Sequence, residues 1–265
     1  MKKITKLVLP VAGLGKRLQP LTLKTPKALV KANGKPLLDY VLEETRGTTI
    51  DEAILVINPK QKKDFEVYVK KAKQKFPNLR FVLKNQKRPL GTGHVLLLAG
   101  SFVLKEPFAV RFADDILVSR KPVLPNLIKN YQETNSSILT LRKIPKRLVS
   151  RFGVAAVKKV LNKGGVWRIS KIIEKPRLEE APSNLVLIGA YVLTPEIMRL
   201  EKFLEDRYKG ELTNDCFKLT DAFDLALQEK EKIFGLEFEG EYLDCGTLEE
   251  FRKAEKYLRS RKGEY

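Results

Sequence analysis

Histidine, cysteine and methionine are almost missing from this chain, which has one His, two Cys and two Met in 265 residues. The cysteines, Cys216 and Cys245, lie far apart with no paired spacing. That argues against a structural metal site and against a disulfide, and both read as small buried apolar residues. The single histidine, His94, opens a predicted helix after a glycine turn and reads as structural. No apolar run approaches the roughly 20 residues of a membrane span. Met1-Lys2-Lys3 is followed too soon by a glycine loop to leave room for the apolar core of a signal peptide. The expected compartment is the cytoplasm, and no membrane partner is expected. Low-complexity tracts, internal repeats and long linkers are missing too.

Charge of one sign is plentiful: 51 Lys and Arg stand against 32 Asp and Glu, a net +19. Such a surface attracts phosphate backbones. The cations are dispersed, however, with no basic block, no aromatic-basic RNA-binding signature and no zinc-finger spacing, so nucleic acid is not the expected partner. A polyanionic small substrate would gain from the same field.

Apolar runs rich in β-branched residues at Leu7–Ala12, Ala53–Ile57, Arg80–Leu83 and Phe108–Phe112 read as strands. Helical patterns over Pro36–Leu42, Phe65–Phe76 and His94–Ala99 alternate with them. That rhythm implies βαβ units and a doubly wound, mainly parallel mixed α/β sheet, whose ligands collect at the carboxyl ends of the strands. Beyond about residue 137 strands dominate: 138–144, 153–160 and 166–173, the last two joined by a hairpin turn around Asn162–Gly165, then 186–193 and 233–238. Helices are expected near 195–200 and 219–229, and a terminal helix sets Leu248, Phe251, Ala254 and Leu258 on one face. The chain reads as one domain. Residues 1–136 and 137–265 read as its two halves, the second a smaller β region with the C-terminal helix.

The informative stretch is LVLPVAGLGKRLQPLTLKTPKALVK, residues 7–31. A buried strand stops at Gly13-Leu14-Gly15, where bare backbone can turn its N–H groups toward an anion. Lys16, Arg17, Lys24, Lys27 and Lys31 follow, punctuated by Pro20 and Pro26. A dinucleotide fingerprint wants Gly or Ala where Leu18 stands, and a P-loop needs four residues between its glycines. Neither motif fits, yet strand, loop and cations together suit a polyphosphate. Three further stretches carry chemistry. Asp114 and Asp115 end an apolar strand in FAVRFADDI, as suits Mg²⁺, which takes one or two carboxylates plus substrate phosphates; a helix cap or a surface acid is the plain alternative. Gln86 in QKRPLGTG has an amide that both donates to and accepts from a pyrimidine edge. EKP at 174–176 and PSNLVLIGAYVL at 182–193 follow later.

The N-terminal run resembles the signature G-x-G-T-R-x-x-P-x-T-x-x-x-P-K of the sugar-1-phosphate nucleotidylyltransferases, with Lys16 in place of the threonine. Almost the full chain is similar to the bacterial-type UTP–glucose-1-phosphate uridylyltransferases within that family. One departure is a shortened helical segment between the strand at residue 53 and Gln86. The resemblance implies a Rossmann-like nucleotidyltransferase fold, with 1–136 the mainly nucleotide-binding half and 137–265 the smaller, mainly sugar-binding β region. It also implies Mg²⁺ held by Asp114 and Asp244, the latter from EYLDCGT, with Asp115 as second choice to Asp114. It assigns Ala12, Gly13, Gly15, Lys16, Arg17, Lys27, Gln86 and Gly91 to the nucleotide. Gly153, Glu174, Lys175 and Gly189 fall to the sugar phosphate, with Asp221 close by; Ala190 stands where the family has arginine. Arg17, Lys27, Asp114 and Lys175 would carry catalysis.

The implied activity is transfer of a uridylyl group from UTP to glucose 1-phosphate, giving UDP-glucose and pyrophosphate, with homo-oligomers a family habit. Two alternatives stand beside it. One is a dTTP-using thymidylyltransferase, since the amide contacts of uracil and thymine are alike. The other is a catalytically inactive binding or regulatory relative, which the intact acids and cations at these positions argue against.

Overall fold

The computed structural model describes residues 2–160, 165–207 and 217–261. The strands are β1 Lys6–Pro10, β2 Lys31–Ala32, β3 Lys35–Pro36, β4 Glu52–Ile57, β5 Arg80–Asn85, β6 Phe108–Arg111, β7 Asp115–Val118, β8 Ser137–Lys143, β9 Gly153–Val160, β10 Val166–Glu174, β11 Leu185–Leu193, β12 Ile233–Glu237 and β13 Glu241–Asp244. The α-helices are α1 Leu37–Glu43, α2 Lys62–Lys75, α3 Thr92–Leu97, α4 Val123–Thr134, α5 Pro195–Arg207, α6 Leu219–Gln228 and α7 Leu248–Ser260. None is long and apolar enough to cross a membrane, among the described residues.

Nine strands form one twisted sheet in the order β5-β4-β1-β6-β11-β8-β12-β10-β9. The first four run parallel, as their alternation with helices requires. From β6 onward the sheet is mixed, because β11 pairs antiparallel with both β6 and β8. Only β8 and β12 are parallel there. The parallel character read from the sequence thus belongs to the first half. The two halves expected from the sequence share this sheet, since β11 lies directly against β6.

Strand β1 shows why the sheet is covered on both faces. Leu7 and Leu9 point into the core that α1, α2 and α4 close, while Val8 points into the one closed by α3, α5 and α6. A third, smaller core joins α7 to β7, β13 and the basic loop through Leu18, Ile116, Cys245, Phe251, Ala254 and Leu258. Cys245 is buried there as a small apolar side chain; Cys216 and most of the 162–165 hairpin turn lie outside the described residues.

Three elements have no counterpart in the sequence reading. Helix α4 begins after Pro122 with a second proline, Pro125, in its first turn, where a missing N–H costs nothing. The pair β2–β3 closes a tight turn through Asn33 and Gly34, both at positive φ. The third is an antiparallel ribbon of β7 and β13, whose register sets Asp115 opposite Asp244. EYLDCG is therefore a strand.

Strand order also fixes where ligands can gather. From β1 the chain moves outward to β4 and β5, then returns to place β6 on the other side of β1. The crevice between the carboxyl ends of β1 and β6 is the topological switch point of a doubly wound sheet. The glycine loop leaves β1 there, and Asp114 leaves β6.

One buried charge sits off this axis. Glu201 of α5 is fully buried, and neither carboxylate oxygen has a hydrogen-bond partner among the described residues. Burial, helped by Asp221 and Glu205, pushes it up to about 8, so it is protonated in the fold at neutral pH while the unfolded chain is ionised. Stability tied to this group is therefore lost as pH rises from the ordinary glutamate value through about 8. Glu201→Gln is expected to match the parent near pH 4, to become the more stable protein by a few kcal/mol by pH 8, and to keep a constant advantage above it. Urea unfolding at pH 4, 6 and 9 measures this.

Candidate active site

The loop after β1 is shaped by its glycines for different reasons. Gly15 has φ +63, and a Cβ there would fall 2.9 Å from Thr22 Cγ2 and 3.0 Å from Lys27 Cβ. Thr22 Oγ1 donates to the Gly15 carbonyl at 2.8 Å, closing the loop on itself. At Gly13 a Cβ would meet nothing within 4 Å, so neighbouring protein atoms do not demand glycine there. Its exposed backbone leaves room for close approach of a ligand. Ala12 is buried at the loop's root, whereas Lys16 and Arg17 open a 3-10 turn with exposed side chains.

Both candidate metal acids stand at the mouth of this loop. The Asp114 carbonyl accepts from Cys245 N–H at 2.7 Å, which ties the end of β6 to the residue after Asp244. Each carboxylate already faces a cation: Lys27 Nζ lies 2.5 Å from Asp114 Oδ2, and Arg151 Nη2 lies 3.3 Å from Asp244 Oδ2. Burial alone would raise Asp114, but Lys27 and then Arg17 hold it below the usual carboxylate range. Asp244 is raised, by burial first and by the Asp114 charge next, against hydrogen bonding from Gly246 N–H at 2.6 Å.

Asp115 has a different task. Its Oδ2 accepts from Gly189 N–H and its Oδ1 from Tyr242 O–H, both at 2.8 Å. Burial and the neighbouring Asp114 push it up to about 7. Gly189 is glycine because a Cβ would sit 2.1 Å from the Asp115 carboxylate. Its carbonyl meanwhile accepts from Arg111 Nη1 at 2.6 Å and from Phe112 N–H at 3.0 Å. Both polar groups of Gly189 are thus engaged by protein, and its missing side chain makes room for Asp115 rather than for a sugar.

Behind these acids lies a residue the sequence reading passed over. Arg111, at the end of β6, is fully buried. Its Nε and Nη2 grip Glu44 of the α1 C-cap at 3.1 and 2.6 Å, and Nη2 also donates to the Asp115 carbonyl at 2.9 Å. An arginine inside an apolar strand run was the available signal; its partner, 67 residues away, was not visible. Arg151 was missed as well, since on an exposed turn before Phe152 it looks like any surface cation.

Gln86 and Gly91, the residues expected at the base, form a second group. Gln86 follows β5, is 6% exposed, and is held by its N–H to the Ile57 carbonyl at 2.8 Å. Gly91 has φ +110, and a Cβ there would lie 2.2 Å from the Phe217 carbonyl oxygen. Phe217 N–H donates to Leu90 O and Gly93 N–H to Phe217 O, so this loop is laced to the segment entering α6. The residues expected at the sugar lie on and just after β9 and β10, where Gly153 pairs with Glu174. Lys175 holds a left-handed backbone at φ 45, uncommon for a side-chain-bearing residue and a feature that clusters at functional sites. Its Nζ lies 3.7 Å from Glu174 Oε1. Burial raises Asp221 first, Lys218 opposes this and Glu174 adds to it. Buried Tyr191 is raised by burial and then by both Asp115 and Glu174, so acids from two sides face one tyrosine.

The sequence profile of the nucleotidyl transferase family matches residues 6–261. This chain belongs to that family. It is similar to the UTP–glucose-1-phosphate uridylyltransferase of Bacillus subtilis (strain 168), with 32% identity over 98% of this chain and 94% of that protein. Its fold is similar to a crystal structure of UDP-glucose pyrophosphorylase complexed with UDP-glucose, at TM-score 0.84 and 30% identity over 97% of this chain and all of that one. It is also similar to UTP-bound UGPase from Acinetobacter baumannii, at TM-score 0.81 and 28% identity over 98% and 95% of the two chains. In the nucleotidyl transferase described here, a recess of about 1260 Å³ opens at the other end of the β7–β13 ribbon, beside Ser119, Lys121, Glu237 and Tyr257. It contains none of the residues assigned to the site.

Removing one member of a buried ion pair strands the other. Arg111→Met is expected to cost about 3–5 kcal/mol in urea unfolding, and pairing it with Glu44→Leu to recover part of that loss.

Proposed function

We propose that the chain transfers the uridylyl group of UTP to the 1-phosphate of glucose. A phosphate oxygen of the sugar attacks the α-phosphorus in line, the bond from that phosphorus to the bridging oxygen breaks, and pyrophosphate leaves with the electron pair. The nucleophile is already ionised at neutral pH, so no general base is required, and the protein's work is positioning and charge neutralisation. The observation that carries this reading is the meeting of Asp114 and Asp244 beside the glycine loop at the switch point, under Lys27, Arg17 and Arg151.

The acids suit a divalent cation, Mg²⁺ in preference. Their donors are hard carboxylate oxygens, two in number, and no group of three or more acid, His or Cys side chains that would hold a metal alone occurs among the described residues. The remaining positions would fall to phosphate oxygens and water, as Mg²⁺ favours. When bound, the cation supplies charge neutralisation at the sugar phosphate and α-phosphate. Arg17 faces the departing pyrophosphate, Lys27 the triphosphate, and Lys175 the sugar phosphate. Gln86 and the Gly91 backbone read the base, and Glu174 with Gly153 holds the sugar. Location in the cytoplasm accords with this use of nucleotide pools.

A pyrophosphate-release assay over a grid of nucleoside triphosphates and sugar 1-phosphates, with and without Mg²⁺, tests the reading. UTP with glucose 1-phosphate is expected to lead; a clear preference for dTTP or another sugar overturns the substrate assignment. Asp114→Asn and Lys27→Ala are each expected to lower turnover by about 10²-fold or more with little change in melting temperature. Near-normal turnover in either variant removes that residue from the mechanism.

A further inference from the structure

We infer that His94 fixes the orientation of the Gln86 amide and so makes the base site select uracil against cytosine. This rests on Gln86 being the base reader. Among the described residues, the side chain of Gln86 has one hydrogen-bond partner: its Nε2 lies 3.4 Å from His94 Nδ1. The other ring nitrogen, Nε2 of His94, faces Glu205 Oε1 of α5 at 3.8 Å. A carboxylate accepts only, so it favours the tautomer with the proton on Nε2 and leaves Nδ1 as an acceptor. Facing an acceptor, Gln86 must offer an N–H and not its carbonyl. The amide is thereby turned one way.

That turn has a consequence for the base. With one N–H given to His94, Gln86 keeps its carbonyl oxygen and its second N–H for the ligand. Uracil offers an N–H beside a carbonyl oxygen along the same edge and is met at both points. Cytosine offers a bare ring nitrogen beside an amino group, so acceptor meets acceptor and donor meets donor. Thymine shares uracil's pattern, and the device does not separate those two. A site built to pair with one pattern rejects the inverted one strongly, because its own buried polar groups are left unmatched.

The surroundings keep the ring neutral. Burial lowers His94 first; Glu205 opposes this, and Arg88 and Lys202 add to the lowering. Among the described residues, the charged groups acting on the ring are Arg88 of the loop and Lys202 and Glu205 of α5, with the Gln86 amide and the Phe217 ring, at 6.4 Å, beside it. Protonation would turn Nδ1 into a donor, force the amide to flip, and present the pattern that opposes uracil.

With one histidine in the chain, ¹⁵N ring spectra report this residue alone. At pH 7.5 they are expected to show the Nε2–H tautomer, and an Nδ1–H tautomer overturns the inference. His94→Phe removes the acceptor and keeps the ring. It is expected to raise KM for UTP about tenfold and to cut the UTP-over-CTP ratio of kcat/KM by a similar factor. Turnover at saturating UTP, KM for glucose 1-phosphate and melting temperature should move little. His94→Asn, whose carbonyl can stand where Nδ1 stood, is expected to restore the ratio. In the parent, KM for UTP should rise only as pH falls below the ordinary histidine range, because the ring's surroundings lower it, and the Phe variant should lose that dependence. An unchanged UTP-over-CTP ratio in His94→Phe, or equal losses toward both substrates, refutes a positioning role. If Gln86→Ala leaves KM for UTP unaltered, the base-reader assignment fails instead. If the parent transfers no nucleotide, the same ratio is read from UTP and CTP binding by calorimetry.

Discussion

Like charges must be held together here, and most of the molecule's inner construction answers that demand. Asp114, Asp115 and Asp244 crowd one end of a two-stranded ribbon, and each raises or is raised by another. Left in a low-dielectric interior without partners they would not all ionise. The fold resolves this by dividing labour. Asp115 turns inward and is stabilised by Gly189 N–H and Tyr242 O–H, whereas Asp114 and Asp244 turn outward to Lys27 and Arg151. The buried Arg111–Glu44 pair then anchors the main chain that carries them.

Close packing also ties the Gln86–Gly93 loop to β9 and β10. Gly91 lets this loop lie against Phe217, Gly93 makes room for Glu201, and Leu219 N–H donates to Thr92 Oγ1 at 3.2 Å, fastening α3 to the start of α6. Thr220, one residue on, sits where a Cβ on Gly153 would touch it at 3.2 Å, and Glu174 lies equally close. The loop, the start of α6 and the paired ends of β9 and β10 are thus in one continuous packing.

Much of this was legible from local pattern. The β1 run, its glycine exit and the ordered Arg17, Pro20, Thr22, Pro26 and Lys27 read as a loop suited to phosphate, because strand propensity, positive φ and cation placement are properties of neighbouring residues. The family resemblance singled out Asp114 and Asp244, although on residues alone Asp114 reads equally well as a cap or surface acid and Asp244 more readily as a helix-start cap. Residues whose meaning depends on a distant partner stayed hidden. Arg111 and Arg151 were passed over, and the strand at Glu241–Asp244 was not foreseen. His94 read as structural until its ring was seen to stand between Gln86 and Glu205.

Sequence alone determined the class of fold, the alternation of strand and helix, and the chemistry available at the end of β1, since these follow from periodicity and residue type over a few positions. Tertiary structure decided which carboxylates face outward, which cation stands on each, and which way an amide must point. Those outcomes depend on desolvation and on distances of a few ångströms between segments distant in sequence, such as Asp115 and Tyr242, which are 127 residues apart. No local pattern encodes such distances, because they arise only when the strand order closes the sheet.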